Sequence, residues 1–467
     1  MGDLAIRPTA IPGLLVIDLV LHGDSRGWFK ENWQRAKLTE LGLPDFGPVQ
    51  NNMSYNTETG VTRGLHAEPW DKLVSIATGR VFAAWVDLRE GASFGTVVTI
   101  ELGPETAVFV PRGVANGYQT LTDDTVYSYL VNAHWSPHAR DSYSYLNLAD
   151  ETAAIDWPIP LAQATISDAD AAHPRLPEAK PVPPKQTLIV GCGGQLGRAL
   201  TAALPGAVGV DLPDFDLTDP AVAGALDWDD FGTIINASAY TAVDLAETPE
   251  GRKAAWAANV DGVARLCRIA AEHRITLVHV STDYVFDGAA EEHDEEEPFS
   301  PLGVYGQTKA AADTLVAQLA RHYIVRTSWV IGQGRNFVAT MAELAAKGVS
   351  PTVVADQYGR LTFTTDLAAG IIHLLTTGAP HGTYNLTNTG PVQSWADIAA
   401  DVFELSGRSR DDVTPITTEQ YAAGKLVSPR PVHSALNLSK LAAAGFTPAP
   451  AAQRLSELLG ARPPQAG

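Results

Sequence analysis

Cysteine is scarce. The 467 residues include only Cys192 and Cys267, neither beside a second cysteine or a metal-type histidine spacing. A disulfide framework and a zinc site are therefore not expected, and both thiols read as small packing groups. Long apolar runs are also absent: no stretch of about 18 residues is hydrophobic throughout, so no helical membrane span is expected. Positive charge is in deficit, with 33 Lys and Arg against 53 Asp and Glu and a net charge of −20. Nucleic-acid phosphates need a basic face, so a nucleic-acid partner is not expected. The first residues show no basic stretch followed by an apolar one, which predicts no secretion signal and a cytoplasmic location. What is present, 45% hydrophobic and 18% charged residues over this length, suits a globular protein of two or three domains.

A composition break marks the organisation. Residues 171–186 hold five prolines in sixteen positions, which disfavours helix and central strand and predicts a semi-rigid spacer. Before it, short β-branched and aromatic runs (14–21, 72–77, 81–88, 96–102, 107–110, 125–131) alternate with turn residues, the pattern of an all-β sandwich or barrel. After it, strand-like runs (187–192, 208–212, 233–239, 276–286, 323–330) alternate with helix-period runs at 251–273 and 307–322, which predicts βαβ units and a parallel sheet. The expected division is a β domain at 1–172, a linker at 173–186 and an α/β domain at 187–467 whose later part forms a substrate lobe. The acidic run Glu291–Glu297 reads as a solvated loop, and residues beyond about 460 are expected to fray.

In the second half, Gly191, Gly194 and Gly197 follow the first strand and open a helix. Glycines there tighten the turn and let a pyrophosphate rest on the helix N-terminus. Asp211 ends the next strand, where a carboxylate accepts from a ribose 2′-hydroxyl. That leans toward NADH, and a neighbouring polar group still admits NADPH. Tyr305 and Lys309 stand at i, i+4 on one helix face, where an ammonium favours the phenolate and improves the phenol as an acid. Thr282, at a strand C-terminus, is the candidate to hold a substrate carbonyl beside the phenol, with Ser281 second.

The stretches Gly194-Gln-Leu-Gly197, Asp216-Leu-Thr-Asp219, Asn236-Ala-Ser-Ala-Tyr-Thr-Ala-Val-Asp244, Asn259, Ser281-Thr-Asp-Tyr284, Tyr305–Lys309, Arg326-Thr-Ser-Trp329 and Arg430-Pro431 occur in order. Over 187 to about 455 the chain resembles the extended short-chain dehydrogenase/reductases, and among them the dTDP-4-dehydrorhamnose reductase family. The resemblance implies a Rossmann domain with a catalytic set of Thr282, Tyr305 and Lys309. It implies dinucleotide contacts at Gly191, Gly194, Gln195, Leu196, Gly197, Asp211, Asp216, Leu217, Ala237, Ala239, Tyr240 and Asn259. It places Thr241, Val243, Trp329 and Arg430 near the sugar nucleotide. NADPH or NADH is the implied cofactor. A magnesium ion is known in some family members, and its ligands are unassigned here. One departure is Arg360-Leu-Thr, where the family has a small residue then Pro-Thr.

In the first half, Asp24-Ser-Arg-Gly-Trp-Phe-Lys-Glu31, Gln50-Asn-Asn52, Arg63-Gly-Leu-His66, Lys72, Asn116, Tyr129 and Ser167-Asp-Ala-Asp170 occur in an order that resembles the dTDP-4-dehydrorhamnose 3,5-epimerase family over 8–175. A cupin-type jelly roll is implied. A single histidine replaces the His-x-His of metal cupins, so no metal is expected there and none is required. The resemblance makes His66 the base, Asp170 its partner, Lys72 the stabiliser of an enolate oxygen and Tyr129 the proton donor on the opposite face. Arg26 and Arg63 suit the diphosphate, and Phe29, Glu31, Gln50 and Asn52 line the sugar and base pockets. Three departures reshape the pocket: a shortened Ala67-Glu-Pro-Trp-Asp71 segment, Asn116 in place of a histidine, and Trp135 in place of a tyrosine.

Together these features predict a bifunctional enzyme that epimerises dTDP-4-dehydro-6-deoxy-D-glucose at carbons 3 and 5 and then reduces its 4-keto group. A homodimer through the N-terminal domain is expected from the resemblance. The alternatives are a related dTDP-deoxysugar pathway with single-carbon epimerisation and a non-catalytic sugar-nucleotide-binding regulator. Intact His66, Asp170, Tyr305 and Lys309 speak against the regulator.

Overall fold

The computed structural model describes residues 3–460; the tail expected to fray lies outside them. Two compact units meet in sequence between Pro184 and Lys185.

The first unit is built around two large sheets, with a small hairpin of His22–Asp24 and Gly27–Phe29 beside them in sequence. One runs in the order Ala5–Pro8, Leu15–Asp18, Thr106–Val110, Lys72–Thr78, Thr125–Val131, Gln50–Asn56; the other runs Ser144–Tyr145, Thr62–Ala67, Val114–Thr120, Val81–Asp87, Val97–Leu102. Neighbouring strands pair antiparallel throughout. Alternate residues of both sheets meet in one core containing Val74, Ile76, Ala83, Trp85, Val108 and Tyr127. The run at 14–21 is strand only over Leu15–Asp18. The strands Gln50–Asn56, Thr62–Ala67 and Val114–Thr120 fall outside the expected strand runs because polar residues and glycines interrupt their alternation. Those interruptions carry the candidate site residues.

The smaller sheet is buried on its second face as well, where Leu65, Ala84, Val86 and Ala115 pack against Leu146, Trp157, Leu176 and Ala179. The proline-rich segment expected to be a spacer is therefore docked on the first unit. Leu176 is 7% exposed, and Val182 exchanges backbone hydrogen bonds with Leu88 (2.8 Å) and Glu90 (3.0 Å). Proline sets an extended path there, and the apolar side chains between the prolines supply the contact.

The second unit holds a six-stranded parallel sheet in the order Val208–Val210, Gln186–Val190, Phe231–Asn236, Thr276–Thr282, His322–Thr327, Gly382–Asn385. Apolar clusters fill both faces, one around Leu188, Ile234, Leu266 and Leu277, the other around Ile189, Leu200, Val278 and Ile371. A third cluster around Val338, Phe363, Val402 and Phe403 forms the core of the later part. The helical run 251–273 is one α–π–α stretch: Pro249–Trp256, a π segment Ala257–Asp261, and Gly262–Glu272. The helix bearing Tyr305 spans Val304–Val316, so it starts earlier than its apolar periodicity and puts Tyr305 in the first turn. No helix among the described residues is long and apolar enough to cross a membrane. Within the acidic run, His293 is buried, stacked on Phe286 (4.7 Å, 4°) and bonded to Glu297 through Nδ1, so this loop is pinned by a core histidine.

Candidate active sites

In the first unit, His66 lies on Thr62–Ala67 opposite Asn116. Its Nε2 is 2.9 Å from Asp170 Oδ1. Asp170 rides on a short helix, Asp168–Ala171, capped by the Ser167 side chain, which turns its carboxylate back onto the strand. The Gly64 backbone N–H donates to Asp170 Oδ2 at 3.3 Å. A side chain at Gly64 would put Cβ 2.6 Å from Gly117 Cα, so only glycine permits this approach. Asp170 is held well below the usual carboxylate range by His173 and His66, despite the opposing effect of burial, which is the largest single influence.

Lys72 Nζ sits 5.8 Å from the centre of the Tyr129 ring. The lysine makes a buried ion pair with Glu68 (2.8 Å), and the Trp70 indole N–H donates to the same carboxylate at 2.7 Å. Burial, and next the Glu68 carboxylate, push the Tyr129 phenol up to about 12, so it stays protonated at neutral pH. Tyr129 pairs in register with Asn52, whose side chain accepts from Gln50 at 2.8 Å. Asn116 accepts from the Tyr127 hydroxyl (2.9 Å), Arg63 donates to Asn56 (3.0 Å), and Gln50 accepts from the Trp135 backbone N–H (3.0 Å).

Arg26, Phe29 and Glu31 are not brought to this group. Arg26 pairs with Asp24 on an exposed hairpin, Phe29 stacks on His22 (6.4 Å), and Glu31 bonds Lys37 (2.5 Å). Sequence reasoning also passed over His173, whose Nε2 is 3.3 Å from Asp170 Oδ1. It passed over Glu68 as the partner of Lys72. Neither pair has a sequence spacing that announces it, although Glu68 falls in the segment already singled out as a departure.

In the second unit, a cavity of about 940 Å³ is lined by Gly191, Gly194, Gln195, Leu196, Asp211, Asp216, Leu217, Ala237, Ala239, Tyr240, Thr241, Val243, Ser281, Thr282, Tyr305, Lys309 and Trp329. Gly197 packs beneath it: a Cβ there would stand 2.0 Å from Gly191 O. Asp211 braces the glycine turn, accepting from Gly193 N (2.7 Å) and Leu212 N (2.8 Å). Asn259, in the π segment, accepts from Tyr240 N (2.8 Å) and donates to Thr308 (3.0 Å), so it supports the wall behind the cavity. Trp329 stacks on Trp395 at 3.7 Å, and Arg430 pairs with Asp244 at 2.9 Å.

Lys309 is 1% exposed; it donates to the Val280 carbonyl (2.7 Å) and meets His279 Nε2 (3.0 Å). Burial pulls its ammonium down to about 8, and burial, then Lys309, hold His279 well below the usual imidazole range. The Tyr305 phenol is raised, first by burial and then by Asp283, with the Thr282 hydroxyl opposing. This differs in direction from the effect expected of Lys309, whose charge is directed at the strand carbonyl and His279. Asp283 is pushed up to about 6 by burial, against the opposing hydrogen bonds of Ser434 and Thr282, and accepts from Thr282 Oγ1 at 2.9 Å. His279 and Asp283 were not foreseen as site residues. Arg360, the departure noted in sequence, anchors its loop through Gly390 O (3.0 Å), Glu292 (3.1 Å) and Leu436 O (3.1 Å).

Comparison with known proteins matches each unit separately. An RmlC homolog of Streptococcus pyogenes is 48% identical over 180 residues, 38% of this chain and 90% of that protein. The dTDP-4-dehydrorhamnose reductase of Aggregatibacter actinomycetemcomitans is 37% identical over 273 residues, 54% of this chain and 91% of that protein. A crystal structure of dTDP-4-dehydrorhamnose reductase from Bacillus anthracis in complex with NADP has 32% identity and a TM-score of 0.54, covering 59% of this chain and 98% of that one. Residues 8–178 match the family model of dTDP-4-dehydrorhamnose 3,5-epimerase, and 185–461 match that of the RmlD substrate binding domain. The chain therefore belongs to the RmlD family, with a dTDP-4-dehydrorhamnose 3,5-epimerase family domain joined ahead of it.

Proposed function

We propose that the chain catalyses two consecutive steps of dTDP-L-rhamnose biosynthesis: 3,5-epimerisation of dTDP-4-dehydro-6-deoxy-D-glucose, then reduction of the 4-keto group. The observation that carries this reading is the pairing, in one chain, of the His66–Asp170 dyad with the Thr282–Tyr305–Lys309 cavity. We take the first unit as a cupin-type jelly roll and the second as a Rossmann domain with a substrate lobe, the boundary falling in the segment 173–186.

In the epimerase half, Asp170 receives the His66 Nε2–H and leaves the Nδ1 lone pair to remove a proton alpha to the ketone. Lys72 stabilises the enolate oxygen, with Glu68 fixing its ammonium. Tyr129, still protonated, delivers a proton from the other face. Arg63, Gln50, Asn52 and Asn116 line the same pocket. Arg26 and Phe29 on their hairpin, and Glu31 just after it, bind substrate once this face is covered by a partner subunit. The edge strand Gln50–Asn56 exposes Met53 and Tyr55, which suits a homodimer through this domain.

In the reductase half, the glycine turn, the 940 Å³ cavity and the Asp211 brace fit a nicotinamide dinucleotide, NADPH or NADH. Gly191, Gly194, Gln195 and Leu196 hold its phosphates, with Gly197 packed beneath the turn; Asp211, Asp216, Leu217, Ala237, Ala239 and Tyr240 form the rest of its bed, with Asn259 bracing it from behind. When bound, the dinucleotide supplies hydride to carbon 4. Thr282 orients the carbonyl, Tyr305 protonates its oxygen, and Lys309 supplies the local positive charge. Thr241, Val243, Trp329 and Arg430 hold the sugar nucleotide. The test is paired: His66→Ala should abolish solvent exchange at carbons 3 and 5 but leave reduction of the preformed L-lyxo ketone. Tyr305→Phe should do the converse, and loss of both reactions in either variant would refute the division of labour.

A further inference from the structure

His173 has no part in the proposed reaction, yet it is built into the base. Its Nε2 lies 3.3 Å from Asp170 Oδ1, and His66 Nε2 lies 2.9 Å from the same oxygen. Nε2 of His173 is buried, and Asp170 is the group it faces. One ligand atom from each of His66, Asp170 and His173 falls within 4.8 Å of the others. The two imidazoles are held in this attitude by packing: His66 and His173 meet edge-on at 5.3 Å, and Tyr145 lies against both, at 5.6 and 4.6 Å. The His173 carbonyl is fixed by Asn147 Nδ2 at 2.8 Å, and Asp170 Oδ2 is oriented by the Gly64 N–H.

A tetrahedral ion with metal–ligand distances of about 2.1 Å sets its ligand atoms about 3.4 Å apart. The His173–Asp170 separation of 3.3 Å is close to that edge length, and the hydrogen-bonded His66–Asp170 separation of 2.9 Å would open by about 0.5 Å to admit the ion. Two imidazoles and one carboxylate on one side, with open positions remaining, form a donor set for a borderline divalent transition-metal ion, and the Gly64 bond supplies outer support for the carboxylate.

We propose that His66, Asp170 and His173 form a divalent-metal site, best suited to Zn²⁺, whose occupation switches off the epimerase half. Coordination through His66 Nε2 moves that nitrogen's proton to Nδ1. The lone pair that would take the substrate proton then no longer exists, and Asp170 no longer orients the ring. The inhibitory part of the proposal rests on the epimerase reading; the metal site does not.

The test uses the full chain and Zn²⁺ in a non-chelating buffer. Calorimetry should give one tight site per chain, weakened at least about tenfold in His173→Gln. In the same samples, deuterium exchange at carbons 3 and 5 of dTDP-4-dehydro-6-deoxy-D-glucose should fall at least about tenfold in the wild type, be restored by EDTA, and resist Zn²⁺ in the variant. Co²⁺ titrated into the wild-type chain gives a readout that needs no variant: intense visible ligand-field bands of a tetrahedral site support the proposal. Only the weak spectrum of the aqueous ion overturns it. Absence of stoichiometric Zn²⁺ binding, equal binding by His173→Gln, or a Zn²⁺-bound wild type that exchanges at full rate would also overturn it. One bound Zn²⁺ in a chain that exchanges neither with nor without metal would support the site and refute the epimerase reading instead.

Discussion

In the proposed reductase site, the buried Lys309 ties the reaction to pH. Its ammonium is lowered to about 8 by burial and is held by Val280 O and His279. The kcat/KM for reduction should therefore fall as pH rises through about 8, since this parameter reports groups of the free enzyme. Lys309→Arg should move that limb upward; an unchanged limb would assign it elsewhere. Stability should not fall with it. The unfolded lysine keeps the ordinary value of 10.5, so between about 8 and 10.5 the unfolded chain binds more protons, and Lys309's contribution to stability rises with pH. Denaturant midpoints at both pH values separate the two effects. Asp170 offers a second residue-scale prediction. Asp170→Asn removes the carboxylate hydrogen-bonded to His66, proposed above to fix its tautomer, and should lower deuterium exchange by about 10²–10⁴-fold while leaving ketone reduction intact. Exchange at the wild-type rate would remove Asp170 from the mechanism.

At the scale of elements, the glycine turn is the part most dependent on the absence of a side chain. Gly197→Ala would place Cβ 2.0 Å from Gly191 O, whereas Gly206 has open space around it. Gly197→Ala should cost about 1–3 kcal/mol and weaken NADPH binding at least about tenfold, and Gly206→Ala should do neither. Thermal melts and cofactor titration of the pair check this. Much of this architecture was legible: the strand Thr125–Val131 and the start of Thr276–Thr282 coincide with their β-branched runs, and Thr282, Tyr305 and Lys309 face the same cavity. The strands carrying Gln50, His66 and Asn116 were not legible, because a site-bearing strand replaces core-facing apolar residues with polar ones and glycine. Nor were His173, Glu68 or His279 legible as partners. Each acts across space on a residue that a motif does identify, and the direction of the Lys309 charge depended on a buried carbonyl that only the fold supplies.

At the scale of the whole molecule, the chain comprises two units with separate cores. A second cluster of the first unit, on the other face of the smaller sheet, includes Leu176 and Ala179 from the proline-rich segment. A fragment ending at residue 172 should therefore be less stable than one ending at 184 by about 3 kcal/mol, the burial value of a leucine plus its neighbours. Equal urea midpoints would mean that the segment is only a tether. Both fragments of a chain divided after Pro184 should retain their own reaction, and light scattering should assign self-association to the first. The most direct measurement of the central claim uses the intact protein with dTDP-4-dehydro-6-deoxy-D-glucose and NADPH or NADH in deuterated water, followed by NMR. Deuterium at both carbons 3 and 5 of a dTDP-L-rhamnose product is the predicted result. Label at one carbon, or none, or a product of different configuration at carbon 4, would contradict it.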